Sequence, residues 1–138
     1  MYSFVLQDWI TVGATGAGTV IQTEKDWLDM SAFQDVVAWL DVREVSGGPA
    51  PTLRFETAPA KDDFLFVGMG ATPTTLVAAS TPLIVQLLMG SAAVPIAQFL
   101  RWKVVGAATW DATFRILVAA NAPGLQPDDE NRKRLMGG

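Results

Sequence analysis

The chain has 138 residues, 50% of them apolar and 17% charged, with a net charge of −4; that length matches one domain with one core, and the charged share is below the roughly one quarter usual for soluble domains. Cysteine and histidine are both absent, which excludes disulfides, thiolate nucleophiles, Cys- or His-based metal sites and histidine-dependent triads. The acidic balance, with a pI of about 4.6, argues against a sequence-independent grip on nucleic acid, which needs many Lys and Arg to neutralise phosphates.

The N-terminus has no basic n-region and meets Asp8 early, so it reads as mature protein and not as a secretory leader. Ser3–Val12 and Gly18–Thr23 read as strands on either side of Gly13-Ala14-Thr15-Gly16-Ala17. The glycines at 13, 16 and 18 superficially resemble a phosphate-cradling loop. No P-loop lysine accompanies them, however, and Thr19-Val20-Ile21 continues as strand, so a hairpin or linker is expected. Trp27–Phe33 tolerates one helical turn. Asp35–Val45 is the clearest strand, with Val36, Ala38, Leu40 and Val42 on one face and Val37, Trp39, Asp41, Arg43 and Val45 on the other. The second face turns from apolar to polar along its length, as expected where a strand passes from a covered region toward solvent. Ser46–Pro51 predicts a turn. Thr52–Ala58 then places Leu53, Phe55 and Thr57 inward, with Thr52, Arg54 and Glu56 outward. These two runs are expected to pair as an antiparallel hairpin, with outward charges of both signs in cross-strand reach.

Asp62 and Asp63 open the next stretch; adjacent side chains at a strand start point to opposite faces, which favours solvated loop acids over a catalytic pair or a calcium site. From Phe64 to Leu100 there is no Asp, Glu, Lys or Arg. Pro73, Pro82 and Pro95 with Gly68, Gly70 and Gly90 interrupt it too often for a membrane-spanning helix of ~20 apolar residues, so no membrane span is expected. Short strands are expected instead near Phe64–Val67, Thr74–Ala78, Leu83–Met89 and Ile96–Phe99. Leu100, Trp102 and Val104 then alternate with Arg101 and Lys103, a turn is expected at Gly106–Thr109, and Ala112, Phe114, Ile116 and Val118 lie opposite Asp111, Thr113, Arg115 and Leu117. That predicts a second hairpin, with Trp102 in the core. Residues 121–138 carry Pro123, Gly124 and Pro127, then an acidic and a basic triplet. They read as a flexible C-terminal tail after a domain over residues 1–120, with Arg132, Lys133 and Arg134 as candidate contacts of an arm reaching a neighbouring subunit.

About eight short strands spaced by turn signals, without a run of 3.6-residue periodicity, predict an all-β fold: an antiparallel β-sandwich of jelly-roll-like type. Trp27, Trp39 and Trp110 lie on an outer face or at element edges and form the candidate contact surface. For each, burial in a core or a protein interface outweighs stacking on a sugar. No catalytic residue, cofactor site or metal site is assigned.

The runs DVVAWLDVREVSGGPAPTLRFETAPAKDDFLF and FLRWKVVGAATWDATFRILVAA resemble small β-sandwich structural proteins of the virions of tailed phages and prophages. The likeness lies in a strand ending in a valine-x-glycine turn (Asp35–Val45 and after), a P-T-L-x-F-E-T-x-P strand (Pro51–Pro59) and an L-R-W-K hairpin (Leu100–Ala119), about half of the chain. It implies a non-enzymatic capsid-decoration, head-fibre or tail-associated subunit. Such a subunit assembles as a homo-oligomer with copies of itself and with other virion proteins, and resides in the virion after a period in the host cytoplasm. The competing reading is a carbohydrate-binding module whose exposed tryptophans stack on a glycan.

Overall fold

The computed structural model describes residues 2–69, 73–87 and 94–122. In chain order its strands are β1 (Tyr2–Ala14), β2 (Gly18–Ile21), β3 (Leu28–Asp29), β4 (Asp35–Gly47), β5 (Thr52–Ala58), β6 (Val67–Gly68), β7 (Thr74–Thr75), β8 (Leu83–Leu87), β9 (Phe99–Gly106) and β10 (Trp110–Asn121), with 3-10 turns at Glu24–Asp26 and Asp63–Leu65. All pairings are antiparallel. The first sheet has the order β1-β10-β4-β8, and the second runs β2-β9-β5-β6, with β3 also on β9 and β7 also on β5.

β2 and β3 follow one another along the same edge of β9, and β6 and β7 share the far edge of β5. Counting each of these pairs as one reduces the ten strands to eight positions: first, eighth, third and sixth in one sheet, second, seventh, fourth and fifth in the other. That is jelly-roll order. The all-β, jelly-roll-like sandwich expected from the period-two pattern is therefore the fold observed.

The alternation explains where the core sits. β4 sends Val36, Ala38, Leu40 and Val42 into the space between the sheets, and β10 adds Ala112, Phe114, Ile116 and Val118 beside them. Leu53 and Phe55 of β5 and Leu100, Trp102 and Val104 of β9 meet them from the second sheet. Each fully buried Val, Leu, Ile or Phe among them contributes about 1.5–3 kcal/mol relative to leaving it exposed.

The two expected hairpins do not form. β4 and β5 lie in different sheets, as do β9 and β10. In a hairpin, the apolar faces of β4 and β5 would lie on one side of a single sheet and need a cover from elsewhere. Crossing to the opposite sheet instead sets Val36–Val42 and Leu53–Phe55 against each other directly. The expected cross-strand charge pairs change partners accordingly: Asp41 meets Arg115 of β10, and Glu56 meets Arg101 and Lys103 of β9. Smaller differences follow the same logic of short edges. The Phe64–Val67 segment is a 3-10 turn followed by β6, Thr74–Ala78 shortens to β7, β9 begins only at Phe99, and the helical turn falls at Glu24–Asp26, ahead of Trp27. Leu88 and Met89 lie outside the described residues. Among the described residues no helix is long and apolar enough to cross a membrane.

One glycine is set by packing. At Gly106, the end of β9, a Cβ would land inside the indole of Trp110, which is buried where β10 begins. Replacing Gly106 with Ala is expected to destabilise the fold by ~1–3 kcal/mol through overpacking, measured by urea unfolding. A change indistinguishable from zero would mean that the indole is free to move.

Candidate functional site

The two outer faces of the sandwich differ. Over the second sheet the chain segment after β5 folds back, so Trp27, Ala58 and Phe66 form a small satellite core with Phe99 packed against it. Trp27 and Phe66 meet edge to face at 4.6 Å, and the Trp27 indole N–H donates to the Gln22 carbonyl at 2.8 Å. Beneath them Arg101 is 3% exposed. Its guanidinium bonds Glu56 through Nε at 2.9 Å and Nη2 at 2.8 Å, reaches Asp63 through Nη1 at 2.7 Å, and lies 3.9 Å from the Phe66 ring centroid. Asp62 accepts the Phe64 N–H at 3.1 Å and starts the 3-10 turn. The two neighbouring acids thus have separate structural duties, one capping a turn and one holding a cation.

Over the first sheet the described residues place no such cover. The register sets Val5 opposite Leu117, Leu117 opposite Trp39, and Trp39 opposite Ile84. Four apolar side chains from four adjacent strands therefore form one continuous row. Val5 is 54% exposed, Ile84 50% and Trp39 38%. A shallow depression of about 460 Å³ beside the row is lined by Val5, Trp39, Leu117 and Ala119, with Ser3 as its only polar side chain. The next outward positions are charged: Arg115 donates through Nε to Asp41 at 3.1 Å, and Trp9 is flanked by Arg43 at 4.5 Å and Arg115 at 5.1 Å. The apolar-to-polar shift along the outer face of β4 is the border between these two halves.

Of the three tryptophans expected at a contact surface, Trp39 lies on this open face. Trp27 and Trp110 turn inward, to 9% and 3% exposure, because the satellite core and the glycine at 106 give their rings apolar beds. Val5, Ile84 and Leu117 complete the row and were not singled out by the sequence. Strand alternation gives the face of each residue, but not the register between strands far apart in the chain. Arg132, Lys133 and Arg134, and the tail that carries them, lie outside the described residues.

What this surface offers chemically is apolar area with a charged border. A sugar site needs polar groups fanned around its aromatic platform, and the depression beside Trp39 supplies one hydroxyl. Among the described residues no group of three or more Asp or Glu converges.

No family model matches the chain, and no curated protein matches it. Two solved structures share some of its outline. One is a chain from the structure of infectious bursal disease virus Gx strain, at 11% identity and a TM-score of 0.41, matched over 89% of this chain and 32% of that one. This chain thus spans about a third of the viral chain's length. The other is from Bacillus endospore appendages, which form disulfide-linked pili, at 17% identity and a TM-score of 0.35, matched over 86% of this chain and 88% of that one.

Proposed function

We propose that this chain is a non-enzymatic structural subunit of a virion-like assembly, in capsid decoration or stabilisation or as a tail-associated part, and that it acts through protein–protein contacts. Copies of itself and other virion proteins are its partners, and the outer face of the first sheet is its contact surface. The observation that carries this reading is the row Val5, Leu117, Trp39 and Ile84, half-open to water across four strands. Continuous exposed apolar surface bordered by charge is the composition of a protein interface, with an aromatic at its centre. A jelly roll supports it as a frame: two packed sheets hold the core between them, and the outer face of the first is left available for contacts. The low charged share of the chain fits the same economy, since packed neighbours replace solvating side chains.

Replacing Trp39 with Asp puts a charge at the centre of the row without touching the core. The expected outcome is loss of self-association or of co-assembly, read as a drop in mass by size-exclusion chromatography with light scattering, with an unchanged circular dichroism spectrum. If the wild type associates and the substituted chain keeps that associated mass, the outer face of the first sheet is not the contact surface.

A further inference from the structure

We infer that the outer face of the first sheet packs on the same face of a second copy, about a two-fold axis that runs parallel to the strands between β10 and β4. This rests on the contact-surface reading above and specifies its partner and register.

A two-fold contact must be self-complementary, each residue i meeting j while j meets i. β10 and β4 are the two inner strands of the first sheet. Rotation about an axis between them reverses every cross-strand row onto itself. Leu117 then faces the partner's Trp39, Val5 faces the partner's Ile84, and Arg115 faces the partner's Asp41. Apolar groups meet apolar groups, and the charges meet with opposite sign. No other simple axis in the plane of this face does both: an axis along the row would lay the Arg115–Asp41 pair on Ala119 and Val37, which stand opposite each other on the far side of the row.

The charges have capacity for this second contact. Arg115 and Asp41 keep 40% and 28% of their side-chain surface exposed. Only Nε of Arg115 bonds Asp41, and a guanidinium carries five N–H donors. In the pair, Arg115, Asp41 and their two symmetry mates close a ring of alternating charge. The size is also sufficient. Three long strands of about the 12 residues of β10 and the 5 residues of β8, at ~3.3 Å per residue and ~4.8 Å per strand, give a face of roughly 650 Å², at the lower end of the ~600–1,000 Å² per partner of a standard stable interface. Sheets stacked in this way keep their strands nearly aligned, as sandwich packing prefers.

The test uses complementary charge swaps. In Asp41→Arg, and separately in Arg115→Asp, every self-pairing sets like charges against each other. Each variant alone is expected to self-associate more than about tenfold more weakly than the wild type, read by sedimentation velocity over a concentration series. When the two variants are mixed, both inter-copy contacts become opposite in sign, so a heterodimer of wild-type mass is expected. A salt bridge acting only within one chain would give no such recovery. Val5→Asp and Ile84→Arg form a second complementary pair at exposed positions. They serve if either swap perturbs the circular dichroism spectrum, and the same recovery on mixing is expected. A wild type that Trp39→Asp dissociates, but whose complementary variants fail to pair, overturns the two-fold register and leaves the contact face standing. A wild type that stays a monomer at every concentration overturns the two-fold pairing. If it also fails to bind purified virion proteins, the contact-surface reading falls with it.

Discussion

Replacing Trp102 with Ala is expected to destabilise the fold by ~3–5 kcal/mol, the range for removing a large aromatic from a packed core. Trp102 sits on β9 at 1% exposure. Its ring meets Phe114 of the opposite sheet edge to face at 5.1 Å, and its indole N–H donates to Gln7 Oε1 at 3.1 Å. One side chain therefore ties the second sheet to two strands of the first. Alanine opens a cavity between the sheets and removes the donor to Gln7. Trp102→Phe keeps most of the volume and should lose less than half as much. Urea unfolding measures both; a loss below ~1 kcal/mol for Trp102→Ala would place the side chain outside the interior.

That Trp102 belongs to the core is legible in the sequence, because Leu100, Trp102 and Val104 alternate with charged neighbours. The same rhythm identifies the inward faces of β4, β5 and β10 residue by residue. What alternation cannot reveal is which strand lies beside which. A strand, a turn and a strand have the same pattern whether the turn closes a hairpin or carries the chain across to the other sheet, and in a jelly roll it mostly does the latter. The open face of the first sheet illustrates the same limit. Trp39 is visible as an outward aromatic, yet its neighbours Leu117, Val5 and Ile84 are set by register across the whole chain. Trp27 looks like an edge residue in the sequence because its cover, the segment carrying Phe66, comes from elsewhere in the chain; Trp110 looks like one because the turn it follows hides that its ring folds back onto the bare backbone at Gly106.

Glu56 and Arg101 extend this lesson into energetics. Both alternate outward from the core, which in a solvated strand makes a weak surface pair worth at most ~1 kcal/mol. The segment after β5 covers them instead, leaving 5% and 4% of their side chains exposed. Replacing Arg101 alone with Leu leaves Glu56 in that dry environment with Lys103, at 3.0 Å, as its remaining cation. Breaking a buried pair by removing one partner costs ~3–5 kcal/mol; because Lys103 remains, the expected loss is at the low end, about 3 kcal/mol. Glu56→Leu leaves the guanidinium held by Asp63, a side chain that is 72% exposed and able to follow it toward water, and is expected to cost a similar amount. The double replacement, Glu56→Leu with Arg101→Leu, strands no buried charge, because Lys103 and Asp63 both reach solvent. It should fall within ~1 kcal/mol of the wild type, since a well-packed apolar pair of similar size is often neutral against a buried ion pair. Denaturant unfolding of the four proteins completes the double-mutant cycle. Additive losses would show that the two side chains act independently, and that the covering segment does not exclude water from between the strands.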